Sequence, residues 1–111
     1  MNKLVVSLEA LRDLESIRHY IADELKNRPS AERIVRNVIK DLRVLEQHVE
    51  AGPSVAALTG YSTDLRILVC GKYIALYMAE KGTVYVSRIL NAKQDYLRVL
   101  FGDNENKPIE S

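Results

Sequence analysis

Three strand-like runs joined by turns of two and three residues constrain the fold of this chain more than any other feature. Asp64–Cys70 (DLRILVC), Tyr73–Ala79 (YIALYMA) and Thr83–Leu90 (TVYVSRIL) are separated only by Gly71-Lys72 and by Glu80-Lys81-Gly82. A parallel crossover takes a dozen or more residues, so connections this short admit only antiparallel hairpins. The sequence therefore predicts a three-stranded antiparallel meander. Alternation sets Arg66, Leu68 and Cys70 on one face of the first run, with Leu65, Ile67 and Val69 on the other. In the second run Tyr73, Ala75 and Tyr77 alternate with Ile74, Leu76 and Met78. Both faces are largely apolar, and pattern alone does not select the one that helices cover.

Upstream, Lys3–Ser7 (KLVVS) reads as a short strand that ends on Ser7, a good helix N-cap, with Glu9 in the first turn where the helix dipole favours negative charge. From Leu8 onward Leu11, Leu14, Ile17, Ile21 and Leu25 recur every three or four positions, which predicts an amphipathic helix ending near Lys26 and Asn27. Pro29 disfavours helix in the residue before it and suits the first turn of a new helix. The second helix has the stripe Ala31, Ile34, Val35, Val38, Ile39, Leu42 and Leu45. So short a connection predicts an antiparallel helical hairpin whose stripes cover the sheet. Ala51-Gly52-Pro53 stops the second helix, and the stretch to Gly60 reads as a loop of small residues. Beyond Leu90, the apolar positions Leu97, Val99, Leu100 and Phe101 predict a short final helix. The expected fold class is α+β: strand, antiparallel helix hairpin, three-stranded antiparallel meander and short C-terminal helix. A single domain spans residues 1–101, and residues 102–111 (GDNENKPIES) are expected to be a flexible tail.

Composition narrows the function classes. A chain of 111 residues supports one small core. No apolar run is long enough for a signal peptide or a membrane span, so a cytoplasmic protein with no membrane partner is expected. Cys70 is the single cysteine, which excludes an intramolecular disulfide, and with only His19 and His48 beside it no zinc cluster can be assembled. Neither a metal nor a cofactor is expected. Cys70 itself reads as a small strand hydrophobe, and both histidines as surface residues. Sixteen Lys and Arg against fifteen Asp and Glu give a net charge of +1. A domain that grips a nucleic-acid backbone through many phosphates carries a pronounced basic excess, so strong sequence-independent binding of that kind is disfavoured.

The order of elements, together with particular residues, resembles the RelE/ParE toxin superfamily of bacterial type II toxin-antitoxin systems, closest to its ParE-like members. The matching residues are Ser7-Leu8-Glu9-Ala10, Asp13-Leu14, Ile17, Tyr20-Ile21, Pro29 and Ala31 in the helical part. They continue with Leu65-Arg66, Gly71-Lys72-Tyr73, Tyr77 and the run Val86–Asp95 (VSRILNAKQD) in the sheet. The similarity covers about residues 3 to 101. It implies a toxin that arrests growth, of the kind found in plasmid-stabilisation modules, with a cognate antitoxin as partner and contact with operator DNA only through that antitoxin.

Two activities diverge within the superfamily. RelE-like members are ribosome-dependent messenger RNA endonucleases with lysines on the first meander strand, an Arg after the Tyr of the middle strand and a basic-plus-Tyr cluster near the C-terminus. Here the first strand offers Leu65, Arg66 and Ile67 with no Lys, and Ile74 follows Tyr73. Cleavage through the ribose 2'-hydroxyl needs a base and cations, which Ile and Leu do not supply. If this chain is nevertheless a nuclease acting on ribosome-bound mRNA, Arg66, Arg88 and Tyr96 are the candidate catalytic residues. The alternative reading pairs the two arginines structurally with Asp64 or Asp95 and packs Tyr96 under the last helix. ParE-like members resemble this chain in the run RILNAKQD, though Asn91 stands where they often carry His, and they inhibit DNA gyrase. Lys72, Tyr73, Tyr77, Asn91, Lys93 and Leu97 are then the candidate residues for binding the target or the antitoxin. A third reading is an inactive homologue that keeps only antitoxin binding. The resemblance favours gyrase inhibition and leans away from an enzyme.

Overall fold

The computed structural model describes residues 1–92. The chain forms strand β1 (Lys3–Val6), helix α1 (Leu8–His19) continued by a π-helical turn (Tyr20–Glu24), and helix α2 (Arg28–Leu42) continued by a 3-10 turn (Arg43–Glu46). A one-turn helix α3 (Val55–Thr59) and strands β2 (Arg66–Cys70), β3 (Tyr73–Glu80) and β4 (Thr83–Asn91) complete it. The first helix starts as the sequence predicts, with the Ser7 side chain accepting from Ala10 N–H at 3.0 Å, and α2 is capped by Asn27, whose side chain accepts from Ser30 N–H at 3.1 Å. These bonds satisfy amide donors that have no partner within the first helical turn. The expected final helix and the tail fall outside the described residues.

β2, β3 and β4 form the antiparallel meander. The sheet is larger than that, because β1 adds to β4 in parallel, from Lys3 beside Thr83 to Val6 beside Val86. The resulting order β1-β4-β3-β2 is mixed rather than a pure meander. The helical hairpin between β1 and β2 is the long crossover that a parallel neighbour requires.

A bulge in β4 decides which side chains meet the helices. Tyr77 lies opposite Val86 and Leu76 opposite Arg88, so Ser87 is the extra residue. The parity of β4 therefore switches: Val84, Val86 and Ile89 join Ala75, Tyr77 and Cys70 under α1 and α2, while Leu90 packs with Ile67, Ile74 and Leu76 on the opposite face. Val55 of α3 packs with that second cluster. The segment expected to be a plain loop thus carries one helical turn, capped by Ser54 and ended by Gly60 at φ +83°. Five residues are too few to display helical periodicity.

The predicted stripes are displaced at three places. Ala10, with Leu14 and Ile21, is buried, whereas Leu11 is 51% exposed. Alanine permits close approach of α1 to the sheet. Leu25 is 56% exposed because the chain widens at Tyr20, with Leu25 N–H donating to Tyr20 C=O at 3.1 Å. Each residue of a π turn rotates less than one of an α turn, so Leu25 falls off the stripe that Ile21 continues. In α2, Ala31, Val38 and Leu42 are buried and Ile39 is exposed.

Candidate functional site

The two described candidate nuclease groups are committed to the chain itself. β1 ends at Val6, so β4 beyond Val86 has no strand on that side, and α1 supplies Asp13 there. One Asp13 oxygen accepts Ile89 N–H at 2.9 Å and Arg88 Nε–H at 2.8 Å, and the other accepts from Arg88 Nη2 at 3.1 Å. Asp13 thus replaces a missing strand at one amide and holds Arg88 bidentately. Asp64, one of the two predicted acidic partners, forms no ion pair with it among the described residues, and Asp95 lies outside them. The hydrogen bond with Asp13 raises the Arg88 guanidinium above its already high ordinary pKa, against partial burial, with the charges of Asp13 and Glu9 adding. Replacing Asp13 with Ala is expected to destabilise the protein by about 2–3 kcal/mol, because it strands both a guanidinium and an amide. Urea midpoints of wild type and variant measure this.

Arg66 donates from Nε to Gly52 C=O at 2.8 Å. Its strand is also bridged to the loop before α3, with Ile67 N–H donating to Pro53 C=O at 3.0 Å. Arg66 therefore fastens the loop that covers this edge of β2. Tyr77, expected on a docking surface, is 0% exposed. Its hydroxyl donates to Val49 C=O at 2.6 Å and accepts Gly52 N–H at 3.0 Å. A tyrosine in the middle of an apolar strand calls for such a polar partner at its tip.

Lys72, Tyr73 and Asn91 do come together. They meet at the end of the sheet where Tyr73 pairs with Asn91 and Ala92 N–H donates to Lys72 C=O at 2.8 Å. They line a groove of about 350 Å3 with Tyr20, Ile21, Leu25, Asn27, Ser30 and Ile34. Sequence reading missed Tyr20 and Leu25 as groove residues, although both are large apolar side chains left exposed. Burial, with Tyr20 nearby, pushes the Tyr73 phenol above its ordinary range, so its hydroxyl stays a hydrogen-bond donor rather than a base. Lys93, Tyr96 and Leu97 lie outside the described residues.

Cys70 is buried at the base of a neighbouring cleft, and burial, helped by the charge of Asp41, pushes its thiol up to about 12. It is no nucleophile near neutral pH. Ellman's reagent is expected to label it only as fast as the protein opens, so labelling rates with and without urea check its burial. Since an unfolded thiol ionises near 9.0, this group removes stability as pH rises from there towards about 12. Among the described residues no cluster of three potential metal ligands exists, and no helix is long and apolar enough to cross a membrane.

These features define a small α+β domain whose strand arginines are held within the fold, Arg66 by Gly52 C=O and Arg88 by the Asp13 carboxylate, and whose exposed groove lies between a helical hairpin and the end of a sheet. The chain belongs to the family of ParE toxins of type II toxin-antitoxin systems, parDE, whose sequence profile matches residues 4–96. Its fold is similar to that of a chain in the solved structure "Chromosomal ParDE TA system from P. aeruginosa", with a TM-score of 0.69 and 20% identity. That similarity covers 84% of this chain and 98% of the other. Among curated proteins, no sequence matches.

Proposed function

We propose that this toxin arrests growth by inhibiting DNA gyrase through a protein contact made at the groove of Lys72, Tyr73 and Asn91, and that its antitoxin neutralises it by binding. The observation that carries this reading is the bidentate clasp of Arg88 by Asp13. A guanidinium held by a carboxylate is poorly placed to stabilise a phosphoryl transition state, and Arg66 is turned to Gly52 C=O. Leu65, Ile67 and Ile74 at the neighbouring positions add neither a base nor a cation for RNA cleavage. A protein target asks for none of these. It asks for exposed apolar and aromatic groups beside a few charges, which Tyr20, Leu25, Tyr73 and Lys72 provide.

Pulse labelling after induction of the toxin alone tests this. DNA synthesis is expected to fall first while translation continues, and purified protein is expected to block supercoiling by gyrase. A fall in translation first, with cleaved mRNA on ribosomes, overturns the reading. Harmless expression of folded protein replaces it with an inactive antitoxin-binding homologue. Lys72→Glu is expected to weaken arrest strongly while leaving the melting temperature within a few degrees of wild type, since Lys72 is exposed in the β2–β3 turn at the groove rim.

A further inference from the structure

Four cations lie in line on the outer side of α2. Ala31, Val38 and Leu42 form the buried stripe of this helix. At about 100° per residue, Arg33, Arg36, Lys40 and Arg43 fall within an arc of about 80° on the opposite side, and a rise of about 1.5 Å per residue spreads them over about 15 Å. All four are exposed, and Arg43 stands one residue past the helix end. No carboxylate or aliphatic side chain falls between them. Glu32 borders the arc on one side and is engaged by Arg18 at 3.4 Å, while Asn37 and then Asp41 border the other. Arg43 meets Glu46 only at 3.7 Å, Arg33 makes a long contact of 3.4 Å with Ser30 Oγ, and Arg36 and Lys40 form neither an ion pair nor a hydrogen bond among the described residues. Arg12, Lys26 and Arg28 lack ion pairs as well, but they stand singly, one on α1 and two about the connection between the helices. Alignment is what marks the stripe.

From this geometry we infer that the outer face of α2 lies along the phosphate backbone of duplex DNA, with Arg33, Arg36, Lys40 and Arg43 each meeting a phosphate. One strand of a duplex rises about 3.4 Å per phosphate, so a line of about 15 Å faces about four of them. A rigid helix and a rigid, regular phosphate row match without ordering either partner. The arc offers its occupant charge alone, which a phosphate chain carries at every step, whereas a protein segment would leave its apolar side chains without a surface there. Arg and Lys on phosphates read no bases, so the contact is independent of sequence. Four contacts are few beside those of a dedicated nucleic-acid-binding domain, in keeping with a net charge of +1. The inference rests on the gyrase reading only for where the DNA is met. The stripe begins one turn beyond Ser30 of the groove, so a toxin seated by that groove on an enzyme that holds duplex DNA carries the stripe beside the DNA.

The test is fluorescence anisotropy on the full chain with a labelled duplex of about 20 base pairs and arbitrary sequence, titrated at several salt concentrations. Binding is expected to weaken with salt, with a slope of log K against log salt of about −3 to −4, the value for four phosphate contacts. Arg36→Gln with Lys40→Gln is expected to reduce that slope by about 2 and to weaken binding about tenfold or more at about 50 mM salt. Arg12→Gln with Arg28→Gln removes the same charge away from the stripe and is expected to leave the slope near that of wild type. Equal losses in the two double variants would make the effect one of net charge and overturn the inference, as would a wild-type chain that ignores the duplex at low salt. Tighter binding of single-stranded oligouridylate or of oligoglutamate than of the duplex also overturns it. Should Arg36→Gln with Lys40→Gln melt early, Arg36→Gln alone decides: a slope reduced by about 1 supports the inference and an unchanged slope overturns it. A chain that blocks purified gyrase yet ignores the duplex defeats this inference and leaves the gyrase reading standing, whereas stripe-dependent DNA binding by a chain without effect on gyrase supports it and defeats that reading alone.

Discussion

Gly52→Ala is expected to cost about 4 kcal/mol of stability, as much as a large cavity in the core, although it adds only one methyl group. An ideal Cβ at Gly52 would sit 2.0 Å from the Ile67 carbonyl oxygen and 2.6 Å from its carbon. No rotamer relieves that overlap, because the obstacle is backbone within a paired strand. The loop must withdraw from β2, and three contacts leave with it: Arg66 Nε to Gly52 C=O, Gly52 N–H to the Tyr77 hydroxyl, and Ile67 N–H to Pro53 C=O. The Gly52 amide and the Tyr77 hydroxyl are buried, so their loss carries the full penalty of an unsatisfied group. Gly60→Ala is the control. That residue needs a left-handed backbone at φ +83°, yet nothing lies within 4 Å of its Cβ position, so only conformational strain of about 1–2 kcal/mol is expected there. Chemical denaturation of the two variants separates close approach from backbone freedom, and equal losses would refute the role assigned to Gly52.

The contrast shows where sequence reading reached and where it stopped. Gly52 was legible as a break because glycine beside proline marks one wherever it stands, but it does not stop the second helix, which ends at Leu42 with a 3-10 turn to Glu46. Its second role, admitting a strand to contact distance, depends on a neighbour fifteen residues away in sequence and has no local signature. The meander was legible because its turns are too short for any other topology. The parallel β1 was not placed, since a four-residue apolar strand fits either sheet edge until the crossover is seen. The bulge at Ser87 leaves no mark in TVYVSRIL, and it determines the faces of Ile89 and Leu90. Among the candidate site residues, Lys72, Tyr73 and Asn91 were found together because turn and strand end fix them at one place. Arg66 and Arg88 were recognised as chemically capable, but their partners, Gly52 and Asp13, are distant in sequence. A guanidinium looks the same in a sequence whether it awaits a phosphate or clasps a helix.

Tyr77 separates packing from hydrogen bonding in the same anchor. Tyr77→Ala is expected to cost about 3–5 kcal/mol, since it empties a fully buried aromatic site in the cluster that α1, α2 and the sheet share. Tyr77→Phe keeps the ring and strips the hydroxyl from both Val49 C=O and Gly52 N–H, for an expected loss of about 2 kcal/mol. A nearly neutral Phe variant would mean that water enters and serves both groups, and the loop would then be fastened by Arg66 alone. In a double-mutant cycle, Tyr77→Phe and Arg66→Met are expected to couple, because each holds Gly52 in position for the other. The functional consequence is of a different kind from that of Lys72 or Tyr73. Neither Tyr77 nor Gly52 lines the groove, so their variants should reduce growth arrest only through the amount of folded toxin. Inhibition per folded molecule should remain that of wild type. A Tyr77→Phe protein that is fully folded yet inactive would move the active surface from the end of the sheet to the loop over β2.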